Sequence, residues 1–201
     1  DGSDTILGDN GIVNWDTAGV MTDLTAEDDI NGDDDILHAG DGDNVVVGGV
    51  GNDDLTMGTG LDLVLGDAGT IILTNGVVSH AESTSQITGM DTIAVGEGDN
   101  MVLAGQGDDT ITSGSGDDIV LADNGEIDLV DGVLTHAEST DALGGTDTVT
   151  ILGGDNVVLA GAGADEVTST DGSDTILGDN GIVNWDTAGV MTDLTAEDDI
   201  N

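Results

Sequence analysis

The sequence predicts an all-β protein in which short strands stack into a solenoid. Three observations support this fold class: a nine-residue rhythm of glycines and acids, an aliphatic residue at a fixed place in each nonapeptide, and longer repeats built from these units.

The composition is acidic and poor in large side chains. The 201 residues include 43 Asp and Glu but no Lys, Arg, Phe, Tyr, Pro or Cys, which gives a formal charge of -43. The core must therefore be thin and aliphatic, and the folded chain repels itself unless cations bind to it. We expect no nucleic-acid partner, since phosphate contacts need basic side chains. We also expect no membrane insertion, since no apolar run is long enough.

The sequence repeats itself on two long scales. Residues 171–201 are identical to residues 1–31, so one period of 170 residues is followed by the start of the next. Each period contains three blocks of about 56 residues. We divide the chain into the end of one block with its connector at 1–29, and three blocks with their connectors at 30–89, 90–145 and 146–201.

The shortest repeat has nine residues. Residues 48–56, GGVGNDDLT, match the pattern G-G-x-G-x-D-x-U-x at every specified position, where U is a large aliphatic residue. Weaker copies occupy residues 39–47, 104–112, 113–121 and 160–168. These motifs resemble the haemolysin-type calcium-binding nonapeptides of RTX proteins, and the resemblance covers about two thirds of the chain.

The resemblance implies a specific architecture. In that family six residues form a turn and three form a strand, so that two nonapeptides complete one coil of a right-handed parallel β-roll. Glycines at positions two and four permit positive φ angles and close stacking of the turns. Position eight points into the core, and it is occupied by Leu37, Val46, Leu55, Val64, Ile93, Val102, Ile111, Val120, Val149, Val158, Val167 and Ile176.

The acids at position six are the candidate metal ligands. Stacking places them about 4.8 Å apart, where two charges repel by roughly 3.5 kcal/mol at an effective dielectric constant of about 20. A Ca²⁺ ion reverses this effect because it binds carboxylates and backbone carbonyls together. The resemblance implies that the ligands are Asp4, Asp35, Asp53, Asp62, Asp91, Asp109, Asp118, Asp147, Asp165 and Asp174.

Two groups of residues depart from this pattern. The second repeat of each block has an asparagine at position six, preceded by an aspartate, and these pairs are Asp43 with Asn44, Asp99 with Asn100, and Asp155 with Asn156. Either the amide oxygen is a neutral ligand or the preceding carboxylate replaces it. The motifs that close the blocks add four candidates for capping the last turn, Asp9, Asp67, Asp123 and Asp179.

The connectors between blocks have two possible structures. Residues 70–79 predict a hairpin with an Asn-Gly turn, residues 126–135 repeat it with Asp-Gly, and residues 12–21 are a looser version. A connector is also almost as long as two nonapeptides, so one distorted extra coil is the alternative. We favour the coil slightly for the strand before the turn.

One outer face of the roll is predicted to be apolar. Repeats two and four of each block carry apolar residues on both sides of position eight, namely Val45, Val47, Leu63, Leu65, Met101, Leu103, Ile119, Leu121, Val157 and Leu159. Because alternate repeats belong to one sheet, these residues share a face, and a monomer rarely exposes such a strip. We predict that the hairpin arms or a neighbouring solenoid cover it.

The three histidines are not expected to bind a metal. The sequence His80-Ala-Glu82 recurs as His136-Ala-Glu138, but the third connector has Asp23 at the equivalent place. We interpret His38, His80 and His136 as surface residues that form no cluster.

These features predict a structural role and no enzymatic activity, since no nucleophile and base are paired in the sequence. The chain is expected to be a calcium-stabilised shaft of an extracellular filament or bacterial cell-surface adhesin, associating with copies of itself. The resemblance implies type I secretion, with folding on calcium binding outside the cell. The alternatives are a calcium-binding secretion module of a toxin or hydrolase, and an ice-binding solenoid, which the pairs Thr110 with Thr112 and Thr148 with Thr150 would suit.

Overall fold

The computed structural model describes residues 2–27, 32–140 and 144–196, and this part of the chain is all-β. The predicted boundary between residues 29 and 30 and the repeat beyond residue 196 lie outside the described residues. Since the described residues form no helix, none of them forms one long and apolar enough to cross a membrane. The strands are β1 (Thr5–Leu7), β2 (Gly11–Trp15), β3 (Met21–Ala26), β4 (Ile36–Gly40), β5 (Val45–Val47), β6 (Asp54–Met57), β7 (Leu63–Leu65), β8 (Gly69–Thr74), β9 (Val77–Ser83), β10 (Thr92–Ala94), β11 (Met101–Leu103), β12 (Thr110–Ser115), β13 (Ile119–Leu121), β14 (Gly125–Val130), β15 (Val133–Ser139), β16 (Thr148–Gly153), β17 (Val157–Leu159), β18 (Glu166–Ser169), β19 (Thr175–Leu177), β20 (Gly181–Trp185) and β21 (Met191–Ala196).

The nonapeptide strands form two parallel sheets. The first, which we call the apolar sheet, has the order β1-β5-β7-β11-β13-β17-β19 and contains repeats two and four of each block. The second, the polar sheet, has the order β18-β16-β12-β10-β6-β4 and contains repeats one and three. The register pairs one position-eight residue with the next, as in Val64 with Val102 and Ile93 with Ile111. The predicted all-β fold with parallel sheets is confirmed.

The interior of the roll is the aliphatic core that the nonapeptides predict. The position-eight residues from Val46 to Val158 are buried and form one hydrophobic cluster. Leu37 and Val167 are only partly buried, and Ile176 is exposed. These three residues lie on the edge strands β4, β18 and β19, where no further coil covers them.

The connectors form hairpins rather than an extra coil. Strands β8 and β9 pair in antiparallel register, as do β14 and β15, so our slight preference for a coil before the turn is wrong. Asn75 and Gly76 have φ angles of 57° and 80°, and Asp131 and Gly132 have angles of 53° and 80°. Two consecutive positive φ angles are typical of the type I′ turn, which Asn-Gly and Asp-Gly sequences favour.

The hairpins assemble into a third sheet that covers the roll. This hairpin sheet is antiparallel and has the order β2-β3-β8-β9-β14-β15-β20-β21. Its inward residues, including Ile71 and Ile127, form a second hydrophobic cluster with Leu65, Leu103 and Leu121 of the apolar sheet. Each fully buried aliphatic side chain stabilises the fold by about 1.5–3 kcal/mol. The prediction that the apolar strip is covered is confirmed, and of the two covers considered, hairpin arms and a neighbouring solenoid, the hairpin arms are the one observed.

Candidate functional site

The turns of the roll stack closely because glycine occupies their tightest positions. Gly105, at position two of its repeat, has a φ of 108°, which L side chains rarely adopt. A Cβ atom on Gly107, at position four, would lie 1.5 Å from the carbonyl oxygen of Gly89 in the neighbouring turn. The position-six side chains of successive turns are therefore brought together on each of the two edges where the turns stack.

On one edge, every position-six residue is an aspartate. From Asp53 onward, each of these side chains accepts a hydrogen bond from the position-six N–H of the preceding turn in the stack, which links the aspartates into a column that we call the aspartate edge. The donors and acceptors are Asp35 to Asp53 (2.8 Å), Asp53 to Asp91 (2.8 Å), Asp91 to Asp109 (2.7 Å), Asp109 to Asp147 (2.7 Å) and Asp147 to Asp165 (2.9 Å). The column brings together six of the aspartates that the sequence singled out.

The second carboxylate oxygen of these aspartates is the unusual feature of the edge. Oδ1 accepts the backbone hydrogen bond, whereas Oδ2 of Asp53, Asp91, Asp109 and Asp147 is buried with no hydrogen-bond partner among the described residues. These four residues are at most 2% exposed. A buried carboxylate without a partner carries a large desolvation cost. Oxygens of this kind are the ligands that a hard cation needs.

Burial also changes the ionisation of the aspartate edge. It raises the pKa of Asp53 to about 6, of Asp91 and Asp147 to about 7, and of Asp109 to about 8. Loss of hydration is the largest cause, and the charge of neighbouring aspartates raises the pKa further. A bound cation would act in the opposite direction, because it stabilises the ionised form.

The aspartates of the closing motifs reach the same edge. Asp67 and Asp123 are buried, and their Oδ2 atoms accept hydrogen bonds from the backbone N–H groups of Gln106 (2.7 Å) and Ala162 (2.6 Å). Burial, followed by the charge of Asp147, raises the pKa of Asp123 to about 8. These residues therefore lie beside the aspartate edge rather than at an end of the roll.

The outer two closing aspartates are less buried. Oδ2 of Asp9 accepts a hydrogen bond from the N–H of Val50 at 2.8 Å, in the manner of Asp67 and Asp123. Asp179, which is the sequence copy of Asp9, is exposed. The contribution of this position thus depends on whether a turn stacks beside it.

The opposite edge alternates aspartate with asparagine, and we call it the amide edge. The same backbone hydrogen bonds connect its position-six residues. They run from Asp4 to Asn44 (3.0 Å), Asn44 to Asp62 (3.0 Å), Asp62 to Asn100 (3.0 Å), Asn100 to Asp118 (2.9 Å), Asp118 to Asn156 (2.8 Å) and Asn156 to Asp174 (2.9 Å).

The asparagine side chains donate hydrogen bonds to carbonyl oxygens of their own turns. Nδ2 of Asn44 donates to the carbonyl oxygens of Gly40 (3.1 Å) and Gly42 (2.8 Å) and to Oδ1 of Asp62 (2.7 Å). Asn100 makes the equivalent bonds to two glycine carbonyls and Asp118, and Asn156 makes them to two glycine carbonyls and Asp174. The atom that corresponds to Nδ2 on the aspartate edge is the buried Oδ2.

The aspartates that precede these asparagines point elsewhere. They are exposed, and each accepts a hydrogen bond from a position-five N–H of the adjacent turn. The pairs are Asp43 with Leu61 (3.0 Å), Asp99 with Asp117 (2.9 Å) and Asp155 with Ser173 (2.8 Å). They form an outer ladder that is separate from the buried position-six side chains.

The aspartate edge has the chemistry of a calcium site. The atoms that could bind a metal are the buried carboxylate Oδ2 oxygens, and the chain contains no Lys or Arg that could neutralise them. Ca²⁺ binds six to eight oxygens and tolerates irregular geometry, whereas Mg²⁺ requires a smaller, nearly octahedral set. The residues present therefore fit Ca²⁺, and the buried Oδ2 atoms are the observation that shows the fit.

A cluster on the hairpin sheet contradicts the expectation that His136 forms no cluster. His136 Nε2 lies 3.4 Å from Glu126 Oε1 and 3.2 Å from Glu138 Oε2. The expectation was wrong because it considered the spacing of His136 and Glu138 alone. Antiparallel pairing of β14 with β15 adds Glu126, and the Asp131-Gly132 turn in the sequence is the signal that could have shown this register.

Comparison with known proteins identifies the repeats. No curated protein and no solved structure matches the chain. A family model described as the RTX calcium-binding nonapeptide repeat (4 copies) matches residues 29–64, 88–125 and 150–182, which together are more than half of the chain. These segments contain every position-six residue of the two columns except Asp4 and Asp147. The chain is therefore a calcium-binding repeat protein and belongs to the RTX calcium-binding nonapeptide repeat family.

Proposed function

We propose that Ca²⁺ ions bind along the aspartate edge and that the resulting rigid roll is a segment of the shaft of an extracellular filament or adhesin. The observation that carries the proposal is the row of buried, unpartnered Oδ2 atoms at Asp53, Asp91, Asp109 and Asp147. The chain has no Lys or Arg to pair with these oxygens, so an external cation would stabilise them in their ionised form.

The asparagines suggest which other atoms contact each ion. Nδ2 of Asn44 bonds two carbonyl oxygens of its own turn and the carboxylate of the next position-six residue. We infer that a calcium ion takes the equivalent place on the aspartate edge. Its ligands would be Oδ2 of one aspartate, the carboxylate of the next, and carbonyl oxygens of the turn.

The amide edge is proposed to bind fewer ions. At Asn44, Asn100 and Asn156, the amide nitrogen already satisfies the oxygens that would face a cation, so these residues would not be calcium ligands. Asp62 retains a buried Oδ2 without a partner in the described structure, but its neighbour in the column is a neutral amide. Sites at such aspartates would be weaker than those between two carboxylates.

The proposed shaft rests on the burial of each block's hairpin residues by the adjacent block. Leu24 is fully buried because β8 packs beside its strand, whereas its sequence copy Leu194 is 47% exposed. A further block, or another copy of the chain, would bury Leu194 in the same way. We therefore propose a tandem array of these blocks, wound as a right-handed roll, as nearly all parallel β crossovers are.

An extracellular location suits this chemistry. Calcium is abundant outside cells, and sites of millimolar to submillimolar affinity would remain unfilled in the cytosol. RTX repeats are also typical of secreted proteins. Folding would then be coupled to metal binding after export, where calcium is available to neutralise the buried carboxylates.

Two measurements test the proposal. Far-ultraviolet circular dichroism of the metal-free chain at neutral pH should show a strand signal that appears on titration with calcium and disappears with a chelator. A spectrum that changes with neither addition would contradict calcium-dependent folding.

Small-angle scattering of chains with one and two 170-residue periods tests the shaft. In a rigid rod, each period adds six strand spacings, or about 29 Å, to the length of the particle. A smaller or variable increase in length would exclude a rigid rod.

A further inference from the structure

We propose that Glu126, His136 and Glu138 form a binding site for a divalent transition-metal ion of the zinc class. The site lies on the hairpin sheet and is separate from the calcium-binding turns. Among the described residues, these three form the only group of three or more His, Cys, Asp or Glu side chains whose ligand atoms all lie within 4.8 Å of one another.

The distances within the group fit a tetrahedral ion. Zn²⁺ lies about 2.0–2.1 Å from histidine nitrogen and about 2.0–2.2 Å from carboxylate oxygen. Two ligand atoms of a tetrahedron with these bond lengths are about 3.4 Å apart. His136 Nε2 lies 3.4 Å from Glu126 Oε1 and 3.2 Å from Glu138 Oε2. The three side chains supply three ligands and leave a fourth position for water.

A residue outside the group fixes the imidazole. His136 Nδ1 lies 2.8 Å from Oδ1 of Asn184 on β20, and an amide oxygen can only accept a hydrogen bond. Nδ1 therefore carries a proton, and Nε2 is the nitrogen that faces the two glutamates. In the neutral imidazole, the Nε2 lone pair would point at two carboxylates. A metal ion between them removes this repulsion, and an anchored second nitrogen is the usual arrangement of a metal-binding histidine.

The surrounding charges also favour a dication. Strand pairing places Glu82, Glu126 and Glu138 side by side on three adjacent strands. Like charges directly opposite one another destabilise a sheet, and the chain has no Lys or Arg to offset them. Ca²⁺ prefers an all-oxygen site, whereas imidazole with carboxylates suits first-row transition metals. The group is thus distinct in chemistry from the calcium edge.

The preceding hairpin provides an internal control. His80 and Glu82 repeat His136 and Glu138, but Thr70 stands where the later hairpin has Glu126. His80 Nε2 lies 3.8 Å from Glu82, and its Nδ1 lies 2.7 Å from Oδ1 of Asp128. This hairpin therefore has the anchored histidine and one glutamate but lacks the third ligand.

The test is zinc titration by calorimetry on the whole chain, folded in saturating calcium. We expect one zinc ion per chain. Glu126→Thr, which installs the residue of the preceding hairpin, should abolish that binding, and Thr70→Glu should create a second equivalent site. Asn184→Ala should weaken binding by about 10- to 100-fold. Circular dichroism of each variant in calcium verifies that the roll is intact.

Two results would overturn the proposal. One is the absence of zinc binding by the folded wild-type chain, which would leave His136 as a protonated partner of the glutamates. The other is zinc binding that persists unchanged in His136→Gln, which would assign the ion to carboxylates elsewhere. Cobalt provides a second readout, since a tetrahedral site with a histidine ligand gives a visible absorption band that His136→Gln should lose.

Discussion

Asn44 donates a hydrogen bond from Nδ2 to Oδ1 of Asp62, 2.7 Å away and one coil further along the roll. On the opposite edge, Asp53 and Asp91 have the same stacked relationship through the backbone, but the atom that corresponds to Nδ2 is a carboxylate oxygen without a partner among the described residues. The two edges of one roll therefore differ in the side-chain atom at the same place in the turn, an amide nitrogen on one edge and a carboxylate oxygen on the other. An amide closes the turn on one edge, and we propose that a calcium ion does so on the other.

Replacing one aspartate of the aspartate edge by asparagine should reduce the need for calcium. Asp109→Asn is nearly isosteric and gives the turn the amide that Asn100 provides on the other edge. We expect one fewer bound calcium per chain and a more stable calcium-free state, because a buried charge is removed. Elemental analysis of the folded protein measures the first effect. The calcium concentration at the midpoint of folding, followed by circular dichroism, measures the second and should be lower in this variant.

Asp109→Ala is the matched control for this change. It also removes the carboxylate, but it leaves the backbone N–H of Asp91 without its acceptor. Loss of a buried partner costs about 1–3 kcal/mol, so this variant should be less stable than Asp109→Asn with or without calcium. An unchanged calcium count in both variants would contradict the assignment of Asp109 as a ligand.

Asn100 permits the reverse experiment. Asn100→Asp replaces the amide nitrogen by a carboxylate oxygen facing the carbonyls of Gly96 and Gly98. We expect an additional calcium ion and a less stable calcium-free state. Asn100→Ala should instead lower the free energy of unfolding in calcium by about 1–3 kcal/mol, without changing the calcium count. An extra ion in the alanine variant would show that the amide does not block a site.

The calcium-free protein should become less stable as pH rises. Burial raises the pKa of Asp91 and Asp147 to about 7 and of Asp109 to about 8, above the ordinary aspartate value near 4. The protonated forms stabilise the folded state, so this contribution is complete below about pH 4 and is lost as pH rises through 6 to 8. Circular dichroism in metal-free buffer from pH 5 to 8 measures the loss. Stability that increases with pH in this range would contradict the expected sign.

The hairpin cover can be tested at two adjacent isoleucines. Ile71 is fully buried against the apolar sheet, whereas Ile72 on the same strand is 42% exposed. Ile71→Ala should lower the free energy of unfolding in calcium by about 2–5 kcal/mol. Ile72→Ala should change it by less than about 1 kcal/mol. Equal effects on chemical denaturation would mean that the hairpin sheet does not pack on the roll as described.

The parts of the fold that depend on short-range repetition could be predicted from the sequence. Position-eight residues such as Val102 and Ile111 repeat at a fixed spacing, and they form the buried core. The need to cover Leu103 and Leu121 followed from their apolar character, and the hairpin sheet covers them. The connector itself was ambiguous, because its length suited both a coil and the hairpin that Asn75 and Gly76 form.

The rest of the candidate site depends on long-range pairing. The sequence indicated that Asn44 differs from Asp53, but the three hydrogen bonds of its amide follow from how adjacent turns stack. The approach of Glu126 to His136 depends on the register of two strands joined by a turn. Neither arrangement can be obtained from residue spacing alone, since both require the partner strand or turn to be in place.

The location of calcium ions in crystals of the calcium-loaded chain tests whether calcium binds along the aspartate edge. Anomalous difference maps, collected at a wavelength where calcium scatters anomalously, should show a row of peaks beside Asp53, Asp91, Asp109 and Asp147 on the aspartate edge. No peak should lie at the side-chain nitrogens of Asn44, Asn100 and Asn156. An aspartate edge without peaks, or peaks of equal height at the asparagines, would contradict the account.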